Sequence, residues 1–217
     1  QDATFRLLQT FDLEPNYNVT LLSLWDKRTL LCCSRWQGLL LLDLNTGKCR
    51  RPPFDCGKEI MNVLIDSQKR IWVAPYNGGL NCLTRDGKLL ATYTTHNSSL
   101  SNNVILSLAE REGEIWIGTD GGGINILDPE TRRISLLEHM PGSDHYSLPA
   151  NSILCLYNDC NNNMWAGSIR NGLISIREVS MKTYTDVPPG NDRGLSNNTV
   201  LSLFQESQDQ IWVGTDG

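Results

Sequence analysis

Four tryptophans, Trp72, Trp116, Trp165 and Trp212, fall 44, 49 and 47 residues apart in closely similar surroundings. A register of that kind points to a chain built by repetition, and its period names few candidates. The clearest copies are LSNNVILSLAEREGEIWIGTDGGGINIL from Leu100 and LSNNTVLSLFQESQDQIWVGTDG from Leu195. LPANSILCLYNDCNNNMWAGSIRNGLISI from Leu148 is a third, and MNVLIDSQKRIWVAPYNGGLNCL from Met61 a fourth. The most degenerate starts at Tyr17, where Leu31 takes the tryptophan position 41 residues before Trp72. Units of this length suit four-stranded blades and are too long for leucine-rich or ankyrin repeats. No segment sustains the i, i+3, i+4, i+7 apolar spacing that helical repeats of similar period require.

Each copy divides into four short strands. The first alternates, as in Val104 to Leu108, and a charged or Asn-rich turn follows. The second is apolar on both faces, as at Ile115 to Thr119, which is the pattern of a strand covered from both sides. Asn77-Gly78, Asp120-Gly121, Asn171-Gly172 and Asp216-Gly217 then read as tight hairpins. A third strand follows (Gly79 to Leu83, Gly123 to Leu127, Gly172 to Ile176), and a short, variable fourth, for instance Lys88 to Thr94. Two positions after each tryptophan stands a small residue (Ala74, Gly118, Gly167, Gly214, with Cys33 in the first copy), which lets a neighbouring blade come close. The tryptophans recur at one strand position and are expected to pack between blades, whereas Trp25 and Trp36 lie off that register.

A single four-stranded sheet cannot bury both its faces, and radial stacking of blades solves this. The expected fold is therefore all-β, a β-propeller of four-stranded antiparallel blades. At roughly 45 residues per blade, the 217 residues make an incomplete fragment, of about four to five blades, of a seven-bladed ring. The expected blades are residues 16–56, 57–96, 97–146 and 147–193, with 194–217 the first half of a fifth. Residues 1–15, with Phe5 to Phe11, are expected to supply the outer strand of a closing blade. Open faces at both ends predict self-association.

Charge and cysteines narrow the function classes. A net charge of −5 and a pI near 5.2 argue against a nucleic-acid surface, which needs clustered Lys and Arg. The longest uncharged apolar run, Gly38 to Leu42, is far short of the ~20 residues of a membrane span. Seven cysteines without CxxC spacing read as small buried hydrophobes, with Cys49 and Cys56 the pair to test for a disulfide. No G-x-S-x-G, H-E-x-x-H or phosphate-binding loop is present, so no catalytic residue, metal or cofactor is assigned. His139, His145 and Asp144 could be written as a metal site but read better as solvated loop residues.

The pattern LSNNVILSLAEREGEIWIGTDGGGINILDPET resembles the regulator-propeller repeat of hybrid two-component sensors in Gram-negative, glycan-degrading bacteria. The resemblance is tight at 100–131 and 195–217, good at 148–176 and loose at 61–87 and 17–44. It implies a periplasmic, ligand-sensing region that detects oligosaccharides from glycan breakdown. Tethering through a further C-terminal part carrying a transmembrane helix and a histidine kinase is implied too, with control of glycan-utilisation genes. A metal-dependent propeller lyase of the virginiamycin-inactivating type and a protein-interaction scaffold are the alternatives.

The repeat signature is scaffold, so binding residues must come from where the copies differ. If the first strand is innermost, the connections between copies and the Asp-Gly-type turns share one face. Loops on a rigid frame commonly carry binding. The candidate ligand-binding residues are Arg35, Trp36, Tyr76, Asn77, Asp120, Tyr146, Arg170 and Asn171. Trp36, Tyr76 and Tyr146 are suited to stack on a sugar ring, and Arg35 and Arg170 to hold a carboxylate or sulfate.

Overall fold

The computed structural model of the chain describes residues 9–139, 147–177, 180–186, 194–207 and 210–216. Among these there is no helix. Blade 1 consists of β1 (Leu21–Asp26), β2 (Thr29–Ser34), β3 (Gly38–Asp43) and β4 (Cys49–Arg50). Blade 2 is β5 (Ile60–Ile65), β6 (Ile71–Pro75), β7 (Leu80–Leu83) and β8 (Leu89–Tyr93). Blade 3 is β9 (Ile105–Arg111), β10 (Glu114–Thr119), β11 (Ile124–Leu127) and β12 (Ile134–Leu137). Blade 4 is β13 (Ile153–Asn158), β14 (Met164–Ser168), β15 (Leu173–Arg177) and β16 (Ser180–Tyr184). β17 (Val200–Ser207) and β18 (Gln210–Thr215) form a two-stranded sheet. Among the described residues every pairing between these strands is antiparallel and joins strands adjacent in sequence, with one isolated parallel bridge between Asp186 and Leu195. The fold is the all-β propeller that the repeat predicts.

The first strand of each sheet is innermost. β1, β5, β9, β13 and β17 together line a cavity of about 420 Å³, with Met61, Leu106, Leu154 and Leu201 at matching positions around it. One residue further along, polar side chains lace each blade to the next. Asn62 Nδ2 donates to Leu106 O (3.1 Å), Ser107 Oγ to Ile153 O (3.3 Å) and the Cys155 thiol to Val200 O (3.8 Å).

The core lies between the sheets, as binary patterning on both faces of each second strand requires. One cluster joins Trp72 and Leu80 of blade 2 to Ile105, Ile115 and Ile117 of blade 3. A second joins Trp116 and Ile124 to Ile153, Met164 and Ala166, and a third joins Leu31 and Leu39 to Ile60, Ile71 and Val73. The small residues after the tryptophans sit where expected. A Cβ on Gly118 would come within 2.9 Å of Ile153 Cγ2, and one on Gly167 within 2.6 Å of Val200 Cγ1, both on the next sheet.

The four tryptophans occupy equivalent places on β6, β10, β14 and β18, but they are not equally buried. Trp72 and Trp116 are buried and Trp165 is partly so, while Trp212 is 56% exposed. No strand among the described residues lies beyond β18 to cover it. Six residues before the tryptophan, an acid accepts the indole N–H: Asp66 for Trp72 (2.8 Å), Asp159 for Trp165 (2.8 Å) and Glu206 for Trp212 (2.6 Å). Blade 3 departs from this. Glu110 turns to Ser67 of blade 2, accepting from its backbone N (2.7 Å), and Trp116 Nε1 is left without a partner.

Trp25 fills the acid's place in blade 1. It stacks on Phe54 (6.4 Å between centroids) and lies 4.2 Å under the Arg85 guanidinium, so it is a core residue despite standing off the register. Most of the segment expected as an outer strand, Phe5 to Phe11, lies outside the described residues. Phe11, Leu13 and Tyr17 pack on Cys32, Leu40 and Leu42 and cover part of one face of blade 1.

The seven cysteines are free, and Cys49 and Cys56 are not joined. Cys49 packs beside Cys32 in one cluster and Cys56 beside Cys33 in another. Burial pushes the Cys33 thiol up to about 11 and the Cys56 thiol up to about 12.

Candidate ligand-binding face

The turns after the second strand are four residues long in blades 2, 3 and 4 and three in blade 1, not two. β6 ends at Pro75 and β7 begins at Leu80. The left-handed residues are Asn77 (φ 51°) and Gly79 (φ 70°), then Gly121 and Gly123, then Arg170 (φ 68°) and Gly172 (φ 74°). The tight Asn-Gly hairpin expected at 171–172 is therefore shifted: Arg170, not Asn171, adopts the positive φ. The last glycine of each turn is fixed by a close approach as well as by φ. A Cβ on Gly79, Gly123 or Gly172 would strike the backbone carbonyl of Tyr93, Leu137 or Tyr184 at the end of the fourth strand.

These turns and the connections between blades share one face, held together by backbone bonds. Gly79 N donates to Asn103 O (3.1 Å), Gly123 N to Asn151 O (2.8 Å) and Gly172 N to Asn198 O (2.8 Å). The same asparagines use Oδ1 to accept the backbone N of Thr95 (2.9 Å), His139 (2.6 Å) and Asp186 (2.7 Å). The second Asn of the LSNN motif is thus a staple between blade-end, turn and connection. Its repetition has a structural cause.

Three of the eight sequence candidates converge on this face. Arg35 and Trp36 sit on the turn after β2, and Tyr76 on the turn after β6, at the repeat position that Arg35 holds in blade 1. The Arg35 guanidinium carbon lies 5.1 Å from the Trp36 ring centroid and 5.7 Å from that of Tyr76. Trp36 is 60% and Tyr76 51% exposed, so both rings present apolar surface to solvent beside a cation. The platform is anchored from below: Tyr76 N donates to Glu59 O (2.8 Å), in the connection between blades 1 and 2. A cavity of about 560 Å³, which none of the three lines, begins at Gln37 next to Trp36 and lies between residues 37–39 and 51–58. Arg51, Asp55 and Lys58 contribute charge there.

The other candidates are placed differently. Asn77 follows Tyr76, exposed, and serves the turn. Asp120 is scaffold: its carboxylate accepts from Ser152 Oγ (3.0 Å) of blade 4 and its carbonyl from Asn102 Nδ2 (2.6 Å). Arg170 and Asn171 are exposed on the blade-4 turn. Tyr146 lies outside the described residues, as do His145 and Asp144. His139 Nδ1 donates to Leu148 O (2.6 Å), and among the described residues no three His, Cys, Asp or Glu side chains group as a metal site. The groove residues Gln37 and Lys58 were not singled out in the sequence.

Comparison with known proteins agrees with the repeat. A model of the two-component regulator propeller repeat matches residues 99–121 and 194–217. The extracellular domain of BT4673, described as a hybrid two-component system of B. thetaiotaomicron, is 26% identical over 91% of this chain, with a TM-score of 0.67. That of BT3049 from the same organism superposes with a TM-score of 0.69 at 19% identity, again over 91% of the chain. The WD40 β-propeller domain of Doa1 shares the fold at 14% identity, with a TM-score of 0.63 over 91% of this chain and 60% of its own. The chain spans about a quarter of the length of the two extracellular domains, 26% and 25% respectively. A search of curated proteins finds no match.

Proposed function

We propose, for a chain that carries two-component regulator propeller repeats, that it is part of an extracytoplasmic ligand-sensing region and signals without catalysing a reaction. The repeats matched at 99–121 and 194–217 and the likeness to extracellular domains of two-component systems support the placement. In this reading the region is periplasmic and tethered to a membrane through another part of the protein. Its ligand is an oligosaccharide from glycan breakdown, and the response is control of glycan-utilisation genes.

The observation that carries the ligand assignment is the Arg35–Trp36–Tyr76 platform. Sugar rings bury their C–H faces on aromatic rings, and both aromatics here offer an exposed face beside a groove large enough for further residues. The frame beneath is held by backbone bonds between blades, so the platform is preorganised.

A thermal-shift screen of this chain against a panel of oligosaccharides tests the reading. A ligand at about 100 times its Kd stabilises by about 2.7 kcal/mol. That raises the melting temperature by about 5–10 °C for a chain of this size. Trp36→Ala and Tyr76→Ala should abolish the shift without lowering the melting temperature of the free protein by more than ~1–2 °C, since both rings are exposed. A shift that survives both substitutions would place the ligand elsewhere.

A further inference from the structure

We infer that the sugar taken by this platform is anionic, with a carboxylate or sulfate seated on Arg35. The inference rests on the reading of Arg35, Trp36 and Tyr76 as the ligand site. It follows from what surrounds the guanidinium. Its central carbon lies over both neighbouring rings, 5.1 and 5.7 Å from their centroids. Its terminal N–H groups, unlike Nε, are not buried and are the part open to a partner.

Among the described residues no protein acceptor takes these groups. The ion pairs among the described residues are Arg51–Glu14, Arg70–Asp66 and Arg70–Glu130, and none involves Arg35. Its Nε is buried and has no hydrogen-bond partner. Neither Asp55 nor Glu59, in the neighbouring connection, forms an ion pair with Arg35. Asp55 accepts from Gly57 N (2.8 Å), and Glu59 contributes its carbonyl to Tyr76.

Three other arginines combine a ring contact with an oxygen partner, while Arg111, over Trp116 (5.6 Å), shares with Arg35 a buried Nε that has none. Arg70 lies over Trp72 (5.6 Å) and also pairs with Asp66 Oδ2 (2.6 Å). Arg85 lies over Trp25 and donates to its carbonyl oxygen. Arg51 lies over Tyr17 (5.9 Å) and pairs with Glu14. Arg35 has two aromatic neighbours and no oxygen. A guanidinium fork beside two rings matches the two oxygens of a carboxylate or sulfate. A neutral sugar offers only hydroxyls, which accept more weakly. Lys58, on the wall of the adjoining groove, adds a second positive charge for the same ligand.

Calorimetric titration of the chain with four probes tests this: a galacturonate trisaccharide, a sulfated glycosaminoglycan disaccharide, the carboxyl-reduced neutral form of the first, and inorganic sulfate. At least one anionic saccharide should bind tenfold or more tighter than the neutral form. Arg35→Gln should weaken that binding at least tenfold and leave the neutral form unchanged, and Arg35→Lys should fall between. Should Arg35→Gln fold poorly, the anionic-to-neutral ratio and its decline with added salt in the unsubstituted chain decide alone. Equal affinities for charged and neutral saccharides, both lost in Trp36→Ala, would overturn the anionic inference and leave the platform standing. Inorganic sulfate binding as tightly as the saccharides would overturn it as well. Binding untouched by Trp36→Ala and Tyr76→Ala, or no binding by any probe, would overturn the platform itself.

Discussion

Replacing Gly167 by alanine places a methyl group where blade 4 meets β17. The new Cβ would lie 2.5 Å from Cys155 Sγ, 2.6 Å from Val200 Cγ1 and 2.7 Å from Val200 Cβ. Apolar carbons prefer about 3.5–4.0 Å, so Val200 must retreat by about 1 Å. Val200 is fully buried and its carbonyl accepts the Cys155 thiol, so the retreat pulls on the whole of β17. Overpacking of this kind costs about 1–3 kcal/mol. Restricting the unfolded chain gives back about 0.4–1 kcal/mol. The net loss should be about 1–2 kcal/mol, or about 2–8 °C in melting temperature. Gly214 holds the same repeat position but faces no further sheet. Its Cβ would meet the Ser202 hydroxyl, which can rotate, and next Ser202 Cβ at 3.7 Å. Gly214→Ala should therefore stay within about 0.5 kcal/mol of the parent. Thermal unfolding of the two variants followed by circular dichroism makes the comparison. Equal shifts would mean that the small residue serves the strand itself and not the approach of a neighbouring blade.

Three other outcomes are expected. Under native conditions Cys160, the one exposed thiol among the seven, should react first with an alkylating agent, while Cys33, Cys56, Cys82 and Cys155, with thiols pushed up to about 11–12 by burial, react only on unfolding. Denatured, unreduced protein should show seven reactive thiols by mass spectrometry, and fewer would reveal a disulfide. Burial alone would raise the Asp159 carboxyl, but hydrogen bonds from Trp165 and Asn163 outweigh it and hold it below the ordinary carboxylate range. Its stabilisation should be complete above about pH 4 and drain away as pH falls through the lower folded value. The melting-temperature gap between the parent and Asp159→Asn should close in acid, and a gap constant with pH would contradict this. Exposed Phe204 and Trp212 on the outer sheet, 63% and 56% accessible, should drive self-association that Phe204→Ser weakens. A concentration-independent sedimentation coefficient would argue against that.

The frame was legible because propeller blades are written in local terms. Alternation in Val104 to Leu108 and the two-faced run at Ile115 to Thr119 became β9 and β10 with little adjustment. The Gly118 and Gly167 contacts were legible too, since a small residue at a fixed offset has few other causes. Turn geometry was less so. Asn171-Gly172 carries a tight-hairpin signal, yet the backbone bond from Gly172 to Asn198 and the crowding against Tyr184 O move the left-handed residue to Arg170. The acid six residues before each tryptophan stood in the sequence as a column of Asp66, Glu110, Asp159 and Glu206. It looked like turn charge because a hydrogen bond to an indole leaves no compositional mark. At the candidate face, Arg35, Trp36 and Tyr76 were found separately as variable turn residues. Their meeting was implied by Arg35 and Tyr76 sharing a repeat position on neighbouring blades. Asp120 shares that position as well, but its partner Ser152 turns it into a tie between blades.

Hydrogen–deuterium exchange of the chain with and without the oligosaccharide that gives the largest thermal shift tests the central claim most directly. Binding on the turn face should slow exchange in the segments 34–38, 56–59 and 75–79. The turns of the opposite face, at 27–28, 67–70, 112–113 and 160–163, should be unchanged. Protection confined to those opposite turns, or to the strands lining the central cavity, would contradict the account.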